Sequence, residues 1–490
     1  ELSMEVLDEN VRRVLTIVDR HFSNRNMEAV FDRDADHEKA RKIATESMVL
    51  LKNDGILPLS KSKKLAFIGE FAKNPRFQGG GSSHINCHKV SNAVDSALAC
   101  GYEVSYAKGY DLIKDQVDAG LIEEACQAAK AAEIAVLFVG LPDAYESEGY
   151  DRKHMSLPDS HNELIHAVAT VQKNLVIVLH NGSPVEMPWI GEAKAVLEAY
   201  LAGQAVGAAV VDVLFGDVNP SGKLAESFPI RLEDNPSYLF YVGEKDTVEY
   251  REGVFVGYRY YDKKKMDVLF PFGHGLSYTS FEYSNLKVDR SSMKDHEELT
   301  LSVDITNTGD VFGKEVVQVY VNPSDRGIAI RPVRELKAYE KVALAPKETK
   351  TLQFTLSKRA FAYYHVGIND WYVESGNYGI EVGASSRDIR LKGQVEVLTT
   401  TEIPTIYHLN CTIGDLLSDP KASQAIAPFV KSMEAVFGNV EESEGGASSG
   451  AITDEMKMAM IQDLPIRNLV SFSQGQVSEE MLLQMLNSIK

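Results

Sequence analysis

The chain has 490 residues, with 70 acidic against 51 basic side chains and a formal net charge of −19; 44% of residues are hydrophobic and 25% charged. At roughly 100–200 residues per domain, this length predicts two to four domains with an ordinary globular core. The acidic balance excludes a nucleic-acid partner, which needs a basic footprint, and no run of about eighteen apolar residues occurs, so no membrane partner is expected.

The cysteines Cys87, Cys100, Cys126 and Cys411 are scattered without CxxC spacing. That argues against structural zinc or a disulfide scaffold, and points to buried free thiols in a reducing, cytoplasmic compartment. The text opens at Glu1 inside a helical pattern. The native N-terminus is therefore expected upstream, and secretion is not judged from this end.

In chain order, residues 3–22 space Val6, Leu7, Val11, Val14, Leu15 and Val18 as one helical face. Residues 23–38 are polar and read as a linker. Short apolar runs follow at 64–69 (KLAFIG), 134–140 (IAVLFVG), 175–179 (LVIVL) and 195–200, with helical patterns at 91–100, 121–132, 161–172 and 204–215. This alternation predicts a mostly parallel sheet covered by helices on both faces. Residues 218–280 carry Gly, Pro and aromatics with little periodicity and read as an ordered connector. Period-two patterns at 299–307, 315–322, 335–345, 349–356 and 371–383 predict an antiparallel β-sandwich of the immunoglobulin or fibronectin style. Residues 400–490 read as a helical tail, interrupted by the low-complexity run 441–450 (EESEGGASSG), expected to be mobile. The expected domains are thus 1–38, 39–230, 231–280, 281–398 and 399–490.

Three stretches carry candidate chemistry. In 139–158 (VGLPDAYESEGYDRKHMSLP), an apolar strand runs into a loop holding Asp143, Glu146, Glu148, Asp151 and Arg152. Sites in open α/β sheets form beyond the carboxyl ends of strands. Clustered like charges are expected to raise the pKa of at least one carboxyl group, and Arg152 can hold a neighbouring carboxylate ionised. A solvated acidic loop is the plain alternative. In 77–86 (FQGGGSSHIN), glycines allow close backbone approach to a ligand, and Ser82 and Ser83 can hydrogen-bond hydroxyl groups; a flexible turn is the alternative. Phosphate-loop spacing is absent. In 270–279 (FPFGHGLSYT), His274 between two glycines reads as a turn residue sooner than as a base. HExxH and GxSxG are missing, and nothing points to a metal or nucleotide cofactor.

These stretches, in order with SMVLLKNDGILPL (47–59), NGSPVEMPW (181–189), AYLAGQAVGAAVVDVLFGDVNPSGKLAESFP (199–229) and YREGVFVGYRYYD (250–262), resemble glycoside hydrolase family 3, the β-glucosidase and β-xylosidase family. The resemblance covers residues 1 to about 398, and the tail is similar to an extension found in some bacterial members. It implies a (β/α)₈-type barrel, an α/β sandwich and a fibronectin-like domain, of which this chain holds the last two; the opening helix resembles the very end of the barrel. It also implies a retaining mechanism without metal or organic cofactor, with two carboxyl groups about 5–5.5 Å apart. The family's nucleophile is an Asp on the barrel; Asn369-Asp370-Trp371 is a lookalike better explained as strand. By resemblance Glu148 is the acid/base, with Glu146 as runner-up, and Ser82 touches the sugar. Ser83, Asp151 and Arg152 are expected to shape or line the site.

The implied partners are a β-glycoside or oligosaccharide and a barrel, from the same protein or a second chain. A homodimer is compatible with this but is not argued by any residue. The competing reading is a non-catalytic carbohydrate-binding or scaffold protein, against which stands the joint presence of SEGYDR and GGGSS. A β-sandwich adhesion protein leaves the α/β half unexplained.

Overall fold

In the computed structural model the described residues are 2–149, 151–327, 329–403, 406–438, 459, 461–473 and 475–489. The chain divides into two compact units, Glu1–Tyr364 with Trp371–Thr400, and His365–Asp370 with Thr401–Lys490.

The larger unit opens with α1 (Met4–Ser23), capped by Ser3, none of whose residues is buried. Its apolar face, Val6, Leu7, Val11, Val14, Leu15 and Val18, is exposed. Helix α2 (Arg33–Ser47) starts inside the stretch expected to be a linker. Its polarity hid it: Asp32 caps it, and it docks through charge, with Arg41 Nε and Nη2 donating to Asp212 at 2.6 and 2.5 Å.

A six-stranded sheet follows: β1 (Val49–Asn53), β2 (Leu65–Ile68), β3 (Val104–Ala107), β4 (Ile134–Gly140), β5 (Leu175–His180) and β6 (Ala195–Glu198), in the order β1-β6-β5-β4-β2-β3. All neighbours are parallel except β1 against β6. Strands β2, β4, β5 and β6 are buried along their whole length, which is why they read as continuous apolar runs. Helices α3 (Ala93–Ala99), α4 (Ala119–Ala131), α5 (Asp159–Val171) and α6 (Val206–Leu214) alternate with them. The edge strands β1 and β3 escaped the sequence reading. Strand β3, VSYA, is only partly buried and too short to show a pattern.

The β-sandwich packs two antiparallel layers. Phe281–Val288, Leu299–Asn307 and Thr349–Leu356 form one. Gly313–Val321, Glu335–Leu344, Gly376–Gly383 and Ile389–Leu398 form the core of the other, which Ser292–Lys294 extends by a parallel pairing. Leu299–Asn307 alternates buried and half-buried along its length, the signature of one face on a core. The pattern expected over 371–383 breaks into Asp370–Tyr372 and Gly376–Gly383. At the break Gly376 has φ +145°, and a Cβ there would lie 2.0 Å from Ser324 Oγ. Lys223 pairs with the buried Glu315 at 3.2 Å, and Asn219 Nδ2 donates to Phe312 O at 3.0 Å, fastening the sandwich to the α/β domain.

The smaller unit is helical: Ile413–Ser418, with a Thr412/Asp415 capping box, Pro420–Gly438, Asn468–Phe472 and Glu479–Ser488. They enclose Ile413, Leu416, Ile426, Ile466 and Leu482. The run 441–450, expected to be mobile, lies outside the described residues. All four cysteines are free, but only Cys411 is buried, against the expectation for the set. Among the described residues no helix is long and apolar enough to cross a membrane.

Candidate active site

The chain leaves β2 for β3 on one side and returns to β4 on the other. The loops at the carboxyl ends of β2 and β4 therefore part from each other, the crevice where open α/β sheets hold ligands. Both loops leave on glycines. Gly140 has φ +155°, and a Cβ there would meet His180 O at 2.1 Å, so only glycine lets β4 turn out beside β5.

The inner half of the β4 loop is fastened from below by Arg76, which comes from the β2 loop and is 6% exposed. Its Nη1 donates to Leu141 O at 2.6 Å and Glu146 Oε2 at 2.7 Å, its Nη2 to Glu146 O at 2.6 Å, and its Nε to Asp143 Oδ1 at 3.1 Å. Glu146 also accepts from Gly182 N at 2.7 Å and from the Ser183 hydroxyl. Three strand-end loops, after β2, β4 and β5, thus meet on one ion pair. The far end of the loop is held by Asp115, which accepts from Ser160 N at 2.9 Å, Asp159 N at 3.1 Å and the Tyr145 hydroxyl.

The outer half carries Glu148, exposed to solvent. Its Oε2 accepts from Ser82 N at 2.6 Å. Ser82 lies in the single turn Gly81–Ser83, and Ser83 Oγ donates to Gly80 O at 3.0 Å, closing that turn. Gly81 has φ +71°, and a Cβ on it would fall 2.4 Å from Glu148 Oε2. The glycines of GGGSS therefore let the two loops touch. Asp151 accepts from Tyr241 OH at 2.6 Å, and the half-buried Arg152 donates through Nη2 to Pro184 O at 2.7 Å.

One electrostatic expectation is corrected. Crowding was expected to raise a carboxyl pKa within the loop, yet the Ser82 N–H and hydroxyl hold Glu148 below the usual glutamate value. Arg76 offsets the neighbouring charges, and Glu148 stays in water. The raised carboxyls are elsewhere: burial pushes Glu198 well above the ordinary glutamate value, and Glu226 is pushed up to about 7 by burial and the charge of Glu146, with Arg152 opposing. Glu226 lines a cavity of about 680 Å³ with Tyr200, Ser221, Lys223, Gln318 and Tyr339. The sequence reading missed Arg76 and Glu226. Arg76 stands just ahead of FQGGGSS, where its charge could have been matched to the acidic loop; Glu226 has no local signal. His274 is a turn residue, with Nε2 against Leu51 O at 2.9 Å. Among the described residues no group of three or more His, Cys, Asp or Glu could hold a metal ion.

An exposed acid beside serine hydroxyls and glycine backbone offers groups able to hydrogen-bond hydroxyl-rich ligands. Comparison with known proteins agrees with that class. Residues 48–278 match the glycosyl hydrolase family 3 C-terminal domain, and 315–386 the fibronectin type III-like domain. Thermostable beta-glucosidase B of Acetivibrio thermocellus is 49% identical over 494 residues, covering 100% of this chain and 64% of that protein. An exo-alpha-(1->6)-L-arabinopyranosidase of Bifidobacterium breve is 43% identical over 422 residues, covering 83% of this chain and 54% of that protein. The structure of a beta-glucosidase from Kluyveromyces marxianus in complex with glucose superposes with a TM-score of 0.73 at 30% identity, over 81% of this chain and 68% of that one.

The chain belongs to glycoside hydrolase family 3. It spans between half and two thirds of the length of these two curated relatives.

Proposed function

We propose that the chain supplies the acid/base half of a retaining β-glycosidase site, with a β-glucosidase as the reading its relatives support best. Glu148 is the acid/base, and an Asp nucleophile comes from a barrel, on the same protein or on a second chain. The observation that carries this is Glu148 itself: a solvent-facing carboxylate at the switch point of the sheet, against the Ser82 turn. In the first step Glu148 protonates the leaving oxygen; in the second it deprotonates water. Its depressed pKa suits the second role. The first requires a rise, which a nucleophile carboxylate about 5–5.5 Å away supplies by like-charge repulsion, together with displacement of the Ser82 N–H by sugar. Ser82 and Ser83 contact sugar hydroxyls. Asp151 and Arg152, each with a protein partner, shape the loop, and Glu146 holds it.

The test is turnover of an aryl β-glucoside by this chain alone and after mixing with a barrel-bearing partner, for wild type and Glu148→Gln. Activity only in the mixture, lost in Glu148→Gln on a poor leaving group by about 10²–10⁴-fold, supports the reading. Activity of the chain alone sinks the missing-nucleophile claim. No turnover with any barrel favours the non-catalytic carbohydrate-binding alternative. The arabinopyranosidase relative makes the sugar a separate question, so the panel includes β-xylosides and α-L-arabinopyranosides. Sizing of the same samples separates a barrel complex from a homodimer. The four free cysteines support a reducing, cytoplasmic compartment.

A further inference from the structure

We propose that Arg76 and Glu146 act as a positioning pair for Glu148; the inference rests on the acid/base reading above. Arg76 makes four hydrogen bonds, and three go to Leu141 and Glu146, the two ends of the inner loop. Glu146 hands the constraint on to Gly182 and Ser183 of the β5 loop. Glu148 lies two residues beyond this anchor, a reach of about 7 Å at most. A shift of the anchor therefore passes to the carboxylate with little slack. Beyond the anchor, Glu148 is held among the described residues by Ser82, whose N–H donates to it at 2.6 Å, and Ser82 sits six residues after Arg76 on the same loop. Arg76 thus sets both partners of that contact. A planar guanidinium is needed, because its fork reaches two carbonyls and two carboxylates at once; an ammonium of equal charge does not span them.

The test uses Arg76→Lys and Glu146→Gln in the barrel-bearing enzyme. A misplacement of about 1 Å costs on the order of 10²-fold. Accordingly kcat should fall about 10- to 100-fold on an alkyl β-glucoside, whose departure needs the acid, and less than about threefold on a dinitrophenyl β-glucoside, with KM near wild type. A second readout uses this chain alone. Carboxyl ¹³C NMR should place Glu148 below the ordinary glutamate value in wild type and move it up toward that value in both variants. Equal losses on the two substrates, with an unmoved Glu148 titration, mean the pair only holds the fold and overturn the inference. If Arg76→Lys does not fold, Glu146→Gln carries the same test. Glu148→Gln is run alongside: should it keep full activity, the acid/base reading fails, and the Glu148 titration still decides whether the pair positions it.

Discussion

The inner and outer halves of the loop after β4 are built from the same residue types to opposite ends. Glu146 and Glu148 stand two residues apart. The inner carboxylate has its oxygens engaged by Arg76, Gly182 and Ser183; the outer one faces water and is supported by Ser82, through its backbone N–H and hydroxyl. A carboxylate that must exchange a proton needs room and solvent on one side, and a fixed support on the other. The difference lies in what surrounds each residue, so a loop rich in acids divides into a support and a reactive end.

Stability should separate the two halves most sharply. Arg76→Met removes the buried cation of a part-buried ion pair and leaves Glu146 held only by Gly182 and Ser183. Urea unfolding of this chain should show a loss of about 3–5 kcal/mol. Glu148→Gln, at an exposed position, should stay within about 0.5 kcal/mol of wild type. Equal effects would erase the distinction.

The next effect is set by pH. Glu226, raised from the usual 4.5 to about 7 by burial beside Glu146, is less stable ionised in the folded chain than in the unfolded one. Its contribution is therefore fully present below pH 4.5 and is lost as pH rises through about 7. Glu226→Gln should gain on wild type by about 2 kcal/mol between acidic and mildly alkaline buffer, after allowance for partial exposure. Thermal unfolding across pH checks this, and a flat difference would contradict it.

The smallest effect concerns the contact between loops. Gly81→Ala puts a Cβ at φ +71° and 2.4 Å from Glu148 Oε2. About 1 kcal/mol of destabilisation is expected, with a loss of roughly tenfold in kcat as Glu148 is pushed aside. Ala at Gly149, with nothing within 4 Å of its Cβ position though also at positive φ, serves as the control for strain without collision.

How much of this could be read from the sequence follows from where each signal is local. IAVLFVG announces a buried strand because all seven residues are covered. The β-sandwich strands showed because one face alternates with the other. GGGSS and the acidic loop were legible separately, as glycine-permitted turn and clustered charge. Their contact was not, because Ser82 and Glu148 meet across 66 residues. Arg76 was invisible for the same reason: its partners are 65 to 70 residues away, and one arginine in a loop has no periodicity. Helix α2 was lost because it docks by the Arg41–Asp212 ion pair, a contact of His37 with Gln204 and the small buried side chain of Ala44, with no apolar stripe to reveal it.

The central claim, that Glu148 and not Glu146 is the acid/base, is tested most directly by chemical rescue. In the barrel-bearing enzyme, Glu148→Ala and Glu146→Ala are assayed on an activated aryl β-glucoside with and without azide, a nucleophile that needs no general base. The account predicts that azide restores turnover only in Glu148→Ala, giving a β-glucosyl azide of retained configuration. Rescue of Glu146→Ala instead, or of neither variant, would contradict it.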